Sequence, residues 1–186
     1  MKSYNETADI VLQELKQAVF QIDETEVCRL VEDILGARKV FVIGVGRVLI
    51  SMQAWVKRFT QLGIESYYVG EVNEPAITKE DILIVGSGSG CSLVPEAIAR
   101  KAKELQAKVI HIGSNTKGGV SLYADYMVRI PVQTKLYLQD EIRSRQPMTS
   151  LFEQSLYMLG DIISMIIIEK KELELAKLWK YHANLE

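Results

Sequence analysis

The chain has 186 residues, 48% of them apolar and 25% charged, a composition typical of a globular protein long enough to bury a core. Its formal net charge of −2 does not favour binding to nucleic acid or to anionic membranes. Two cysteines form neither a disulfide framework nor a zinc pattern. The first residues carry acidic side chains at helical spacing, which predicts no signal peptide, and the apolar run Ile162–Ile168 is too short to span a bilayer. We therefore expect a single cytoplasmic domain over residues 1–186, with reduced thiols.

Hydrophobic periodicity predicts helices alternating with strands along most of the chain. Two helices are predicted within residues 4–36, where Gly36 is a plausible C-cap. Five short apolar runs predict strands buried on both faces, at residues 39–43, 65–69, 81–85, 108–112 and 126–130. Further helices are predicted at residues 48–62 and 93–105, with a turn-rich piece at 117–124. A long polar connection, residues 131–147, precedes C-terminal helices within residues 150–181.

Strands that alternate with helices imply parallel βαβ units and a sheet covered on both faces. The predicted fold is therefore an α/β, three-layer αβα sandwich built on a five-stranded parallel sheet. With the strand order 2-1-3-4-5, the first and third strands are neighbours where the order reverses, and ligands bind beyond the carboxyl ends of strands at that point.

Two glycine loops follow those two strands and open helices. The first contains Gly44 and Gly46, and the second reads Gly86-Ser87-Gly88-Ser89-Gly90. Leu49 occupies the third position of a G-x-G-x-x-G fingerprint, and the second loop lacks the lysine of a P-loop, so dinucleotide and nucleoside triphosphate binding are disfavoured.

Serine hydroxyls, glycine N–H groups and a helix N-terminus suit a terminal phosphate monoester. Ser87, Ser89 and Ser92 supply the hydroxyls. The structural alternative is a tight turn in which Ser92 caps the following helix.

These motifs resemble those of the SIS-domain sugar-phosphate isomerases, and most closely those of the 6-phospho-3-hexuloisomerases. The resemblance covers nearly the whole chain. Its signals are Gly44-x-Gly46-Arg47, Val69-Gly70-Glu71, the second glycine loop, the stretch Gln146 to Gln154 and the ending His182 to Glu186. It implies an SIS or flavodoxin-like fold.

The resemblance also implies a reaction, the interconversion of 3-hexulose 6-phosphate and fructose 6-phosphate in the formaldehyde-fixing ribulose monophosphate route. A cis-enediol lies between the two ketoses, and one carboxylate can move the proton without a metal or redox cofactor. Carried over by position, Glu153 would be the base and Arg47 would contact sugar oxygens or stabilise the enediolate. Ser87, Gly88, Ser89 and Ser92 would hold the phosphate together with Gly46, assisted by Ser114 and Thr116. The family also implies a homotetramer with sites near subunit interfaces, in which His182 could carry protons at a neighbouring site.

The chain departs from the family pattern at several positions that bear on its substrate. Val48 and Leu49 stand where the family has Ser-Gly, Gln61 replaces a histidine, and Cys91 replaces a glutamate. Thr149 stands where the family has glycine, and Tyr181 replaces the first histidine of the tail. Substrate identity is therefore less firmly predicted than the fold.

Most of these residues also have a purely structural interpretation. Glu153 completes an S-x-x-E capping box with Ser150. Arg47, at the positive end of a helix, could pair with Glu71 or Glu74 instead of a ligand. His111 lies between isoleucines and is typical of a core histidine.

Other residues carry open alternatives. His182 lies near a chain end that is disordered unless it docks on a partner. Cys91 is a loop filler or, at a helix N-terminus, a reactive thiolate. The basic residues Lys135, Arg143 and Arg145 form a solvated surface or a lid over the phosphate. The competing functions are a non-catalytic phosphosugar sensor and an isomerase of another phosphosugar.

Overall fold

The computed structural model describes residues 2–185 and arranges the five predicted strands in one parallel sheet. The strands are β1 (Val40–Ile43), β2 (Ser66–Tyr68), β3 (Ile82–Gly86), β4 (Lys108–Gly113) and β5 (Tyr126–Arg129). Their order is β2-β1-β3-β4-β5, and Val40 of β1 pairs with Ser66 on one side and Ile82 on the other. The predicted sheet, including its order, is confirmed.

Five α-helices surround the sheet, each beginning and ending within two residues of its predicted bounds. They are α1 (Tyr4–Val19), α2 (Glu24–Gly36), α3 (Arg47–Gln61), α4 (Leu93–Glu104) and α5 (Ser150–Lys170). Two short 3-10 helices complete the described residues, Gly119–Leu122 and Leu175–Tyr181. The second of them takes the place of the last predicted helix.

Two apolar clusters lie on opposite faces of the sheet, because successive strand residues point in opposite directions. One cluster joins Val40 and Ile84 to α2, α3 and α5. The other joins Phe41 and Leu83 to α4. This arrangement is the predicted three-layer sandwich. Helix α3 leaves β1 toward one face and α4 leaves β3 toward the other, which makes the β1–β3 boundary the switch point.

Helix α5 is a core helix, and its contacts with α3 fix its position. By length and composition its 21 residues could cross a membrane, but 56% of its most apolar window is buried in the structure. The indole Nε1 of Trp55 donates a hydrogen bond to the Leu156 carbonyl at 2.9 Å. A Cβ at Gly160 would lie only 2.1 Å from that nitrogen, so glycine permits this close approach. Helices α3 and α5 are thereby held side by side.

The long connection between β5 and α5 folds back on itself and is anchored to the core. Ile142 donates its N–H to the Pro131 carbonyl at 2.8 Å. The carboxylate of Glu14, on α1, accepts hydrogen bonds from Ser144 Oγ at 2.7 Å and Arg145 N at 3.0 Å. Burial raises the pKa of Glu14, but these hydrogen bonds outweigh it and hold that pKa below its ordinary value.

Candidate functional site

The two glycine loops meet at one cleft beyond the carboxyl ends of β1 and β3, as the sequence predicts. Gly46, with φ +56°, turns the chain from β1 into α3, and Gly90, with φ +65°, closes the second loop. The cleft has a volume of about 160 Å³. Its lining residues come from both loops, the 131–147 connection and the start of α5: Val45, Val48, Gly86, Ser87, Gly88, Ser89, Ser92, Thr134, Lys135, Thr149, Phe152 and Glu153.

We call Ser87–Gly90 the serine loop, and all four of its carbonyl groups are held from the β4 side. The donors are His111 Nε2 at 2.9 Å, the backbone N–H groups of Ser114 and Asn115 at 2.9 and 3.1 Å, the Asn115 side chain at 3.0 Å, and Val120 N at 2.9 Å. Because a carbonyl oxygen only accepts, His111 carries its proton on Nε2. The negative ends of the loop's peptide dipoles therefore point away from the cleft.

The same loop directs donors toward the cleft. Within residues 2–185, the N–H groups of Gly88 and Ser89 have no hydrogen-bond acceptor. The hydroxyls of Ser87 and Ser92 lie 3.5 Å apart, and Ser92 makes no side-chain cap to α4. Free N–H groups and hydroxyls at a helix N-terminus form an anion-binding site. The cleft geometry therefore favours the phosphate interpretation of this loop over the simple capping turn.

His111 is a core histidine, as predicted, and is fully buried beneath the serine loop. Burial lowers its pKa, which the hydrogen bond to the Ser87 carbonyl only partly offsets. A neutral ring suits its position, because a buried charge without a counter-ion would be costly.

Glu153 does not form the capping box that its spacing suggests. The Ser150 N–H instead donates to the Pro147 carbonyl at 3.2 Å. The Glu153 carboxylate accepts from Thr149 Oγ1 at 2.8 Å through Oε1, and from Arg47 Nε through Oε2. The carboxylate is buried, with a side chain 9% exposed, whereas the Arg47 side chain is 67% exposed.

Arg47 therefore pairs with the predicted base, Glu153, rather than with Glu71 or Glu74. The Glu74 carboxylate is directed elsewhere and accepts from Gly70 N at 2.7 Å. Because Arg47 opens α3 and Glu153 lies in the first turn of α5, the packing of these two helices brings the pair together.

Three predicted phosphate ligands, Gly46, Ser114 and Thr116, lie outside the cleft lining, as does Arg47. Ser114 is fully buried and its hydroxyl donates to Glu141 at 3.1 Å. It supports the serine loop from behind through its N–H, because the chain turns away from the cleft after Gly113. Thr116 is exposed and follows that turn.

His182 lies at the opposite end of α3 from Arg47. Arg47 and Gln61 are the first and last of the fifteen residues of α3, and they lie roughly 21 Å apart along the helix. His182 stacks near Trp179, with ring centroids 5.2 Å apart, and lines a separate cavity of about 430 Å³ together with Gln61 and Asp161. Within one chain, His182 and Glu153 therefore belong to different sites.

Of the departures from the family pattern, Val48, Thr149 and Gln61 line one of these two cavities, whereas Leu49, Cys91 and Tyr181 line neither. Val48 and Thr149 line the cleft, and a Cβ on Gly86 would lie 3.0 Å from Val48 Cγ1. Gln61 lines the second cavity, and Cys91 is an exposed free cysteine outside the cleft lining. Sequence reasoning missed Thr134 as a cleft residue, because it lies in an irregular segment without periodicity.

Comparison with known proteins points to one family. A family model described as the SIS domain matches residues 33–158. The 3-hexulose-6-phosphate isomerase of Bacillus subtilis is 32% identical over 186 residues, covering all of both chains. The same-named protein of Mycobacterium gastri is 31% identical, over 95% of this chain and 88% of that one. A Methanococcus jannaschii crystal structure, from which a 3-hexulose-6-phosphate isomerase function was inferred, has a TM-score of 0.83 and 30% identity, covering 97% of this chain and 99% of that chain.

Proposed function

Because the chain belongs to the SIS-domain family, we propose that it is a sugar-phosphate isomerase that interconverts 3-hexulose 6-phosphate and fructose 6-phosphate. The observation that carries the proposal is that one cleft contains both the serine loop and the Glu153 carboxylate. The isomerase names of the Bacillus and Mycobacterium relatives support this substrate pair. The pathway would be the ribulose monophosphate route of formaldehyde fixation, in the cytoplasm.

The phosphate of the substrate binds at the serine loop. Ser87, Ser89 and Ser92 donate their hydroxyls to phosphate oxygens, and the N–H groups of Gly88 and Ser89 do the same. The positive end of α4 adds to the attraction. This arrangement fixes the sugar chain by its far end and directs the other carbons toward Glu153.

Glu153 then transfers one proton between two carbons. Starting from the 3-hexulose, its carboxylate removes the C2 proton, and the C–H electron pair forms the C2–C3 double bond as the C3 carbonyl becomes an enediolate oxygen. The C2 hydroxyl proton passes to the C3 oxygen, which becomes the C3 hydroxyl as the C2 ketone forms, and Glu153 returns its proton to C3. One carboxylate placed over both carbons serves both steps, and no net oxidation occurs.

Arg47 stabilises the charge that develops on the enediolate oxygens. In the structure Arg47 Nε donates a hydrogen bond to Glu153 Oε2. A productive complex therefore requires the guanidinium to turn toward the sugar and leave this carboxylate oxygen open. The exposure of the Arg47 side chain, 67%, permits that movement. A cation beside a developing oxyanion is among the larger contributions to catalysis of this type.

We further propose that the enzyme is a homotetramer. The outer faces of α3 and α5 expose apolar side chains, with Ile50 65% and Met165 70% exposed, and such faces are typical of subunit contacts. His182 lies too far from Glu153 of its own chain to act there. As a proton carrier it would serve the cleft of a neighbouring subunit.

The test is proton exchange from fructose 6-phosphate in deuterated water, followed at C3 by NMR. The wild type should exchange that proton and Glu153→Gln should lose the exchange, while Glu169→Gln, on the exposed end of the same helix, should behave as wild type. Thermal stabilisation by the sugar phosphate without any exchange would contradict the isomerase and favour a sensor.

A further inference from the structure

The cleft has an uneven distribution of charge. Of the residues that line it, two carry a formal charge, Lys135 near the serine loop and Glu153 near the sugar end. Arg47 is engaged by Glu153. Within residues 2–185, Lys135 has no carboxylate partner. A phosphate monoester brings close to two negative charges, and Lys135 is the cation nearest in the lining to the proposed phosphate position.

The position of Lys135 is fixed by a buried carboxylate in the same segment. Glu141 is 4% exposed. It accepts from Thr134 N at 3.1 Å, from Thr134 Oγ1 at 2.8 Å and from Leu138 N at 2.9 Å. These bonds fold residues 134–141 into a tight loop around the carboxylate. Lys135 follows directly after the residue that Glu141 holds twice.

Glu141 also connects this segment to the serine loop. Its Oε1 accepts from Ser114 Oγ at 3.1 Å, and the Ser114 N–H donates to the Gly88 carbonyl at 2.9 Å. On the other side, Thr134 Cγ2 would lie 3.2 Å from a Cβ built on Gly88. The segment that carries Lys135 and the loop that carries the phosphate donors are therefore one connected unit.

The other two basic residues of the connection do not share this position. Arg145 Nε pairs with Glu14 at 3.2 Å, and Arg143 lies 3.5 Å from the Tyr137 carbonyl, outside the cleft lining. The two interpretations of the basic connection therefore apply to different residues. Lys135 lines the cleft, whereas Arg143 and Arg145 lie outside its lining.

We propose that Lys135 binds the substrate's phosphate group and selects phosphorylated over unphosphorylated sugars, and that Glu141 is the positioning residue that holds it at the serine loop. This inference rests on the proposed function, because it assumes that the serine loop binds phosphate. The ammonium group of Lys135 would donate to a phosphate oxygen opposite the serine hydroxyls.

Lys135→Met tests the inference, with Arg143→Met as a matched control from the same segment. Binding of fructose 6-phosphate, inorganic phosphate and fructose is measured by isothermal titration calorimetry. We expect Lys135→Met to weaken binding of both phosphates about tenfold, with a rise in KM and little change in kcat. Arg143→Met should match the wild type, and the weak binding of fructose should not change. Equal affinities of Lys135→Met and the wild type for fructose 6-phosphate would overturn the inference.

Glu141→Gln tests the positioning role. An amide cannot accept from all the donors that face it, so the variant should lose phosphate affinity, and the double variant should bind no more weakly than Lys135→Met alone. If the losses of phosphate affinity in the two single variants add fully in the double variant, Glu141 has no positioning role. Because Lys135 is exposed, Lys135→Met tests the phosphate contact even if Glu141→Gln fails to fold.

The outcomes separate the inference from the proposed function. If Ser89→Ala weakens phosphate binding and Lys135→Met does not, the phosphate site stands and the inference fails. If Lys135→Met weakens binding but the wild type exchanges no proton at C3, the isomerase fails and the inference stands. If the wild type binds neither phosphate, both fail.

Discussion

Thr149 offers the sharpest test of how the base is held. Its hydroxyl donates to Glu153 Oε1 at 2.8 Å, and the family usually has glycine at this position, which offers no such donor. When Arg47 turns toward the sugar, Thr149 becomes the fixed donor that orients the carboxylate over C2 and C3. Thr149→Val removes this hydroxyl and keeps the shape of the side chain.

The substitution removes one of the two bonds that hold the Glu153 carboxylate in place. A misplaced catalytic group can lose about 100-fold in rate for a displacement of about 1 Å. The lost bond, to a charged group at a half-buried residue, is worth about 1.5 kcal/mol, the lower end of its usual range. We therefore expect a loss of about tenfold in kcat, with KM changed little because the phosphate contacts are untouched.

Steady-state isomerisation of fructose 6-phosphate, with Thr149→Ser as the control, measures this effect. Serine keeps the hydroxyl and should restore most of kcat, whereas a merely structural role would leave serine and valine equally impaired. A Thr149→Val enzyme as fast as the wild type would refute the proposed orientation of Glu153.

Two further predictions concern stability. Gly160→Ala places a Cβ 2.1 Å from Trp55 Nε1 and should lower the free energy of unfolding in urea by about 2 kcal/mol. Gly36→Ala is the control, because nothing lies within 4 Å of a Cβ there, and it should not lower that free energy. Equal urea midpoints for the two variants would contradict the tight α3–α5 contact. Burial holds the pKa of His111 below 6.5 in the folded protein, so the unfolded chain binds a proton at this histidine more readily. Its contribution to the free energy of unfolding is therefore full above pH 6.5 and is lost as the pH falls through the folded-state pKa. The decrease in the free energy of unfolding between pH 7.5 and 5.5 should be smaller in His111→Asn than in the wild type.

The sheet could be predicted because its strands are buried on both faces. Val40–Ile43 is entirely apolar and is followed by Gly44, and Ile82–Gly86 is apolar up to its final glycine. Such short apolar runs leave little ambiguity between a strand and a helix. The order of the strands was a hypothesis, made plausible because it places both glycine loops at one switch point, and the structure confirms it. The C-terminal 3-10 helix differs from the prediction because amphipathic spacing over a few residues does not distinguish 3-10 from α geometry.

The candidate site was only partly predictable. Ser87, Ser89 and Glu153 lie in the cleft because local motifs place them at strand and helix ends. The Arg47–Glu153 contact joins residues 106 positions apart and depends on how α3 packs against α5. Thr134 and the buried Glu141 lie in an irregular segment, where neither period nor capping signal marks a residue as part of a site.

The distribution of the departures bears on what this cleft can accept. The phosphate end is built from backbone groups and serine hydroxyls, which β4 and Glu141 hold in place, and these features do not depend on the rest of the sugar. Val48 and Thr149 lie on the opposite side, next to Arg47 and Glu153, where the reacting carbons would lie. Val48 places an apolar side chain, packed on Gly86, where the family pattern has a serine. One possible contact between that serine hydroxyl and a sugar hydroxyl is therefore lost. Thr149 places a hydroxyl where the family pattern has glycine, but this hydroxyl already donates a hydrogen bond to Glu153. Under the proposed function, the departures leave the serine loop and the base in place, and we expect any change in substrate preference to arise at the sugar end of the cleft.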